Sequence, residues 1–226
     1  MSENDERTAG QTESAGQTDK PLPLREITDA RTLRALSHPV RLALIEAMTI
    51  SGVPMTATEV GEQIGESPTT CSFHLRQLAK YGFVEEAGGG KGRARPWRMK
   101  SIGMSFGASH NTDPEYEIAS RTLAQMYRER SFARYRTWME SQASFSPEWR
   151  KAAESSEYVF YLTADELAEL NQEMTTILIN RYLERLNDPA LRPAGSVPVE
   201  MLVMSFPIQV PDSEPGEPGP AGWAEK

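Results

Sequence analysis

The sequence predicts a mainly α protein with a small amount of β structure, in which a long helix joins two parts. Three observations support this prediction. Helix-capping signals follow one another closely between residues 37 and 82. A glycine-rich loop separates two short strand-like segments between residues 83 and 100. A long helical pattern starts near residue 112, and a strand, helix and strand pattern follows it.

Capping residues mark the first three predicted helices. Residues 27–36 have the pattern of a short helix, and Ser37-His38-Pro39 opens a second helix whose apolar residues are nearly continuous. That composition is typical of a central core helix. Thr56 and Glu59 have the spacing of a capping box, which predicts a third helix that ends at Gly65.

The fourth helix carries the most informative pattern. Ser67 can cap it and is also a predicted DNA contact, Pro68 suits its first turn, and Gly82 follows its end. The spacing i, i+4 and i+7 predicts a buried stripe made of Cys71, Leu75 and Leu78. The other face carries groups of the kind that contact base edges and phosphates in duplex DNA, namely Thr69, Thr70, Ser72, Phe73, Arg76, Gln77 and Lys80.

A β-hairpin is predicted directly after this helix. Residues 83–87 and 95–100 can pair around the glycine-rich loop, where Lys91, Arg93 and Arg95 would contact phosphate. Residues 67–100 carry a net charge of +5 in a chain of net charge −8. A basic face on an acidic chain is typical of a specific duplex-DNA binder. The elements together predict a winged helix-turn-helix with double-stranded DNA as its partner.

These motifs resemble the ArsR-type winged helix-turn-helix transcription regulators over about residues 31–100. The matching segments are Leu36-Ser37-His38-Pro39-Val40-Arg41-Leu42, residues 60–65, residues 67–78 and Gly82-Phe83-Val84. The resemblance implies a homodimer that binds a palindromic operator, usually as a repressor released by a signal. It also implies that the residues facing the major groove are Thr69, Thr70, Ser72, Phe73, His74 and Arg76.

The sequence departs from the metal-sensing members of that family. Residues 55–60 contain no thiol where those members carry a Cys-x-Cys box, and Cys71 is the only cysteine. Because a tetrahedral soft-metal site needs several such ligands, no metal site is expected. Cys71 is interpreted as a small core residue, with a redox switch as the alternative. No catalytic constellation is present, so neither a cofactor nor an enzyme activity is predicted.

Composition predicts four parts of the chain. Residues 1–23 form an acidic tail expected to be disordered, and residues 24–104 form the DNA-binding domain. Residues 112–210 form a helical and α+β dimerisation domain, with effector binding as its alternative role, and residues 211–226 form a second disordered tail. The single cysteine and the lack of a secretory signal or membrane-spanning run predict a cytoplasmic protein.

The second half is predicted to mediate dimerisation. Thr112-Asp113-Pro114 announces a helix that could run to about Ser141 and mixes aromatic side chains with arginines. We expect it to be a dimerisation helix; the alternative is a helix that packs only on its own domain. Strand-like residues 157–162, a capped helix ending near residue 187 and strand-like residues 199–206 predict a small α+β unit.

The sequence therefore predicts a sequence-specific DNA-binding transcription regulator, a homodimeric repressor of ArsR type. One alternative is a one-component sensor whose C-terminal unit binds a small hydrophobic effector. Candidate pocket residues for that effector are Trp138, Trp149, Phe160, Tyr161, Met174 and Met204. A second alternative is a winged helix used as a protein-interaction module.

Overall fold

The computed structural model describes residues 24–88, 95–101, 103–107 and 111–209. The N-terminal region comprises β1 (Leu24–Glu26), α1 (Ala30–Leu36), α2 (Pro39–Ser51), α3 (Ala57–Ile64), α4 (Pro68–Lys80), β2 (Val84–Glu86), β3 (Trp97–Met99) and β4 (Gly103–Ser105). The C-terminal region comprises α5 (Pro114–Ser141), α6 (Pro147–Ala152) and α7 (Ala164–Asn187), with short 3₁₀ turns at Gln142–Ser144 and Pro189–Leu191.

The predicted caps set the limits of α3. The hydroxyl of Thr56 accepts a hydrogen bond from the Glu59 amide at 3.3 Å, and the Glu59 carboxylate accepts one from the Thr56 amide at 2.7 Å. These reciprocal bonds satisfy amides that have no partner inside the helix. Gly65 follows the helix with φ +73°, a left-handed conformation that favours glycine. The predicted start and end of α3 are confirmed.

The predicted buried stripe of α4 is also confirmed. Cys71, Leu75 and Leu78 are completely buried. They pack in one core with fully buried side chains of α2, including Leu42 and Leu44. Fully burying an aliphatic side chain of this size contributes about 1.5–3 kcal/mol, so this stripe holds α4 firmly against the domain.

The hairpin that follows α4 is antiparallel. Val84 lies opposite Met99 and Glu86 lies opposite Trp97, so β2 and β3 pair in the predicted region. The strand β3 also pairs with Met55. The Met55 amide donates to the Trp97 carbonyl at 2.9 Å, and the Trp97 amide donates to the Met55 carbonyl at 2.7 Å. The three helices α2, α3 and α4 with this hairpin form a winged helix-turn-helix. The predicted loop tip, with Lys91 and Arg93, lies outside the described residues.

A parallel pair, β1 with β4, ties both ends of this domain together and was not predicted. Arg25 lies opposite Met104 in the register of the two strands. Next to them, the hydroxyl of buried Tyr116 donates to the Ile27 carbonyl at 2.7 Å and accepts from the Gly107 amide at 3.3 Å. Because Tyr116 lies in the first turn of α5, these bonds attach the long helix to the domain.

The predicted helix limits in the second half are confirmed, but the two predicted strands are wrong for the single chain. α5 begins after its cap Asp113 and ends at Ser141, and α7 begins with a capping box at Thr163. Residues 157–162 and 199–206 have no strand partner among the described residues. Their composition favours extended backbone, but a strand also needs a neighbouring strand to accept its hydrogen bonds. The α+β unit is therefore absent from the described single chain.

No helix in the described part of the chain is long and apolar enough to cross a membrane.

Candidate nucleic-acid interface

One face of α4 is open to solvent and carries most of the predicted contact residues. Five of them are exposed: Ser67, Thr69, Phe73, Arg76 and Lys80. Three are half-buried: Thr70, Ser72 and Gln77. The structure thus brings eight of the nine predicted α4 residues together at one surface. The buried stripe on the other side of the helix holds this surface in a fixed orientation.

Hydrogen bonds within α4 orient several of these side chains. The hydroxyl of Ser67 accepts from the Thr70 amide at 3.1 Å and lies 2.8 Å from the Thr70 hydroxyl. Nε of Arg76 donates to the Ser72 carbonyl at 3.0 Å. That bond leaves both Nη groups of Arg76 without a partner among the described residues. A guanidinium anchored in this way can still form a bidentate contact with a guanine edge.

Phe73 lies at the centre of this surface. Its side chain is 53% exposed, and its ring edge contacts the ring of His74 with 5.1 Å between centroids. An exposed phenylalanine in mid-helix loses favourable burial unless another molecule covers it. Phenylalanine is also among the side chains that contact the methyl group of thymine in a major groove.

His74 lies on the inner side of α4, so the structure does not bring it to the surface where the resemblance placed it. The side chain is buried, and its ring stacks obliquely on His38, the cap of α2, with 4.5 Å between centroids. Burial, the neighbouring His38 and Arg41 together lower the pKa of His74. Burial and Arg41 likewise lower the pKa of His38. Both rings are therefore neutral near pH 7.

Ion pairs within the hairpin offset part of its predicted positive charge. Arg95 bonds the Glu86 carboxylate at 3.0 Å, and Arg98 bonds the Glu85 carboxylate at 2.8 Å. The Arg95 side chain remains 72% exposed, so a phosphate could still approach it. Such exposed pairs contribute only about 0.2–1 kcal/mol, which makes them easy to exchange for a contact with DNA.

Cys71 has the environment of a core residue. Its side chain is fully buried, and burial, with a smaller contribution from Glu66, raises the pKa of its thiol. A thiol kept protonated in this way is a poor nucleophile and a poor metal ligand. The described residues contain no group of three or more side chains that could hold a metal ion.

A charged network that the sequence did not predict joins α2 to α5 and to residues near the C-terminus. Arg134 on α5 donates to Glu46 on α2 at 2.8 Å and to Glu200 at 2.7 Å, and Arg130 also pairs with Glu46. Burial is the largest single influence on the pKa of Glu46 and acts to raise it. The hydrogen bonds from Arg130 and Arg134 together outweigh burial, so the pKa of Glu46 is lowered. The i, i+4 spacing of the two arginines was the only available sequence signal.

A groove lies between α5, α7 and residues 202–206, but it does not have the predicted lining. Met174 and Met204 line it, together with Phe106, Tyr127 and Leu178. Burial raises the pKa of Tyr127 to about 12, so its hydroxyl is neutral. The other predicted pocket residues do not line this groove: Trp138, Trp149, Phe160 and Tyr161. The predicted apolar pocket is thus not assembled as expected.

Comparison with known proteins agrees with this geometry. Residues 36–87 match a family model described as a helix-turn-helix domain. The chain carries a helix-turn-helix domain. Over 55 residues, or 24% of the chain, it is 36% identical to the uncharacterized HTH-type transcriptional regulator YceK of Bacillus subtilis (strain 168). The match covers 55% of the length of that protein.

Proposed function

We propose that this protein is a sequence-specific DNA-binding transcription regulator that acts in the cytoplasm as a homodimeric repressor of ArsR type. One observation carries the proposal: α4 presents an exposed polar face around Phe73 and Arg76 while its other face is completely buried. The match of residues 36–87 to a helix-turn-helix domain supports it, since such domains place this helix in the major groove.

In the proposed complex, α4 reads base edges. The free Nη groups of Arg76 fit the O6 and N7 acceptors of guanine, and Phe73 fits a thymine methyl group. Thr69 and Lys80 lie on the same surface, where they suit contacts to phosphate. Lys91, Arg93 and Arg95 of the hairpin would hold the flanking backbone.

The homodimer follows from the geometry of such sites. One helix-turn-helix contacts a single half-site, and two-fold operators place half-sites about 34–36 Å apart. A two-fold protein is therefore needed to engage both. The resemblance of residues 31–100 to ArsR-type regulators supports the dimer and the repressor role. The exposed apolar side chains of α5, including Phe132, Tyr135 and Met139, offer surface for a second chain.

The direct test is fluorescence anisotropy with duplexes from the region upstream of the protein's own gene and with unrelated duplexes, at two salt concentrations. We expect one upstream duplex to bind at least about a thousandfold more tightly than the unrelated DNA. Failure to bind any duplex at low salt would overturn the proposal and favour a protein-interaction module.

Replacing Arg76 should alter sequence preference. Arg76→Ala removes the proposed guanine contact, so we expect the preference for the operator to fall by about 1–3 kcal/mol at one position. Arg121→Ala is the matched control, because Arg121 is an exposed arginine on α5 that pairs with Glu117. Anisotropy with single-base operator variants measures the effect. Unchanged preference in Arg76→Ala would remove this residue from base readout.

Replacing the hairpin cations should weaken binding to all duplexes. Because phosphate contacts release counterions, the double variant Arg93→Ala/Arg95→Ala should reduce the slope of log affinity against log salt by up to about two. Arg121→Ala again serves as the control with an unchanged slope. If the double variant keeps the wild-type slope, the hairpin does not contact phosphate.

A second candidate function is a sensor that binds a small hydrophobic effector. The groove beside Tyr127 and Met174 favours it, since it has an apolar lining and connects α5 to α7. A ligand that binds only the folded protein must raise its melting temperature. Thermal unfolding with a panel of small apolar compounds tests this candidate, and Met174→Arg should abolish any shift that the groove causes.

A further inference from the structure

The C-terminal arm, defined here as residues 153–209, buries nothing in the single chain. Every side chain described in it is exposed or half-buried, whereas α5 has buried residues such as Tyr116 and Leu123. The arm includes the 24-residue helix α7, and helices of this kind are usually stabilised by packing of an apolar face. The contacts of the arm with α5 therefore leave its apolar side chains at most half-buried.

The uncovered surface of the arm is apolar and large. The five aromatic side chains of the arm are 42% to 100% exposed: Tyr158, Phe160, Tyr161, Tyr182 and Phe206. Since an aromatic side chain offers about 150–250 Å², these five alone expose on the order of 600 Å². A standard protein interface takes about 800 Å² from each partner. Further exposed apolar side chains of the arm, including Val159, Ile177 and Met201, bring its apolar surface to the size of such an interface.

Two segments of the arm also have unpaired backbone. Residues 157–162 and 199–206 both lie outside the helices and strands, and no backbone hydrogen bond joins either to any described residue. The second segment is held on its own chain through side chains, since Glu200 accepts from Ser131 at 2.7 Å and Ser205 donates to Asn171 at 2.8 Å. The first segment has no such anchor, and Tyr161 within it is fully exposed.

We propose that residues 157–162 of each chain pair as a β-strand with residues 199–206 of a second copy. The two-fold dimer would contain this exchanged pair twice, and each pair would cover apolar side chains that one chain leaves in water. The proposal rests on the homodimer of the proposed function. It adds to that proposed function a second region of dimer contact, since the arm would contact the other chain as well as α5.

The chemistry of the two segments favours a second copy as the partner. Each segment offers the unpaired edge that the other requires, and their lengths of six and eight residues are similar. Each contains one charged residue, Glu157 in the first and Glu200 in the second. Glu200 already pairs with Arg134 of its own chain, so little repulsion opposes the contact. Neither segment has the lysines that protect natural edge strands from pairing.

Proline substitutions test the backbone pairing. Successive amides of a strand point to opposite sides, so either Val159→Pro or Phe160→Pro removes a donor that pairing requires. We expect the wild-type full chain to sediment as a dimer of 25.2 kDa chains in analytical ultracentrifugation. At least one of the two variants should raise the dimer dissociation constant tenfold or more. Wild-type dissociation constants in both variants would overturn the proposal.

Ser155→Pro is the matched control, because Ser155 is exposed and lies outside the pairing segment. It should leave the dimer dissociation constant unchanged. Circular dichroism of all three variants should show wild-type helix content, since the substituted residues are exposed and lie outside the helices. Loss of dimer in Ser155→Pro to the same extent would contradict a specific role for residues 157–162.

Cross-linking tests whether the pairing crosses between chains. Chains with Tyr161→Cys are mixed with differently tagged chains carrying Val203→Cys, and a short bismaleimide is added. Cys71 is fully buried, so wild-type chains serve as the unreacted control. We expect cross-links between the two tags. In a double variant, cross-links found only within one chain would overturn the exchange and indicate pairing inside a single copy.

These experiments are carried out without DNA, so they test the exchanged strands separately from the proposed DNA-binding function. A dimer that is sensitive to the proline variants but binds no duplex would overturn the proposed function and leave the exchanged strands in place. Specific DNA binding by a protein that stays monomeric at all concentrations would overturn the exchanged strands. Such binding would keep the DNA-binding role while removing the homodimer from it.

Discussion

The N-terminal region, residues 24–107, and the C-terminal arm, residues 153–209, differ in how far they bury their apolar side chains. The first gathers leucines, isoleucine and phenylalanine into one core together with the start of α5. The second has a similar supply of apolar residues and buries none of them. Apolar content alone therefore does not make a folded unit. A stable unit requires that its elements can cover one another.

The two regions also differ in how their backbone groups are satisfied. In the N-terminal region, caps, a hairpin and the pair of β1 with β4 account for the ends and edges of its elements. In the arm, α7 is capped as well, but residues 157–162 and 199–206 on either side of it have unpaired backbone. The backbone of the first region is thus paired within one chain, whereas residues 157–162 and 199–206 of the arm have no backbone partner among the described residues.

The largest expected effect comes from the N-terminal core. Leu75→Ala removes a fully buried side chain, so the free energy of unfolding should fall by about 2–5 kcal/mol. Ile177→Ala on α7 is the matched change in the arm, where the side chain is 60% exposed. Urea denaturation at low and high protein concentration measures both.

Concentration separates the two variants. The loss in Leu75→Ala should be the same at both protein concentrations, because the core lies within one chain. The loss in Ile177→Ala should grow with concentration if the arm is buried in a dimer. An effect of Leu75→Ala as small as that of a surface substitution would contradict a self-sufficient N-terminal region.

A smaller effect is expected at the junction of the two regions. Glu46→Gln removes the charge that Arg130 and Arg134 share, and hydrogen bonds to charged groups contribute about 1.5–3 kcal/mol when partly buried. We expect unfolding to become easier by about 1–2 kcal/mol, measured by thermal and urea denaturation. Glu115→Gln is the control, because its pair with Arg34 is exposed and should contribute less than about 1 kcal/mol.

The smallest effect concerns the histidine pair of the N-terminal region. Burial lowers the pKa values of His38 and His74 in the folded state, so the unfolded chain binds protons more readily. Stability should therefore fall as the pH decreases below about 6.5, the ordinary value for histidine. Melting temperatures between pH 7.5 and 5 measure this fall.

Two variants identify the groups responsible for that pH dependence. His74→Leu removes one titrating ring while keeping an apolar side chain in the core. His38→Asn removes the other and keeps a residue that can cap α2, where the His38 ring now accepts from the Val40 amide at 3.2 Å. Both variants should show a smaller fall than the wild type. An unchanged fall would assign the pH dependence to other groups.

Local chemistry explains which parts of the fold and site could be predicted. Thr56 with Glu59, Ser67 with Pro68, and Gly82 determine helix limits through atoms within a few residues of each other, so their meaning can be inferred from the chain alone. The exposed face of α4 followed from helical spacing in the same way. His74 was misplaced because spacing does not show that its ring packs on His38.

Contacts between distant residues could not be predicted. The pairing of β1 with β4 joins segments more than seventy residues apart, and neither segment has a strong strand composition. The network of Glu46, Arg134 and Glu200 joins three distant parts of the chain. Charged residues of this kind are common on helix surfaces, so nothing in the local pattern indicates which of them meet.

The order of the helices, their limits and the exposed polar face of α4 follow from the sequence, because capping bonds and helical spacing act over a few residues. The three-dimensional structure was needed to show that Tyr116 attaches α5 to the domain and that His74 points inward. It also shows that residues 157–162 and 199–206 of the arm have no backbone partner among the described residues. These features depend on contacts between residues that are distant in sequence, and local residue preferences do not specify such contacts.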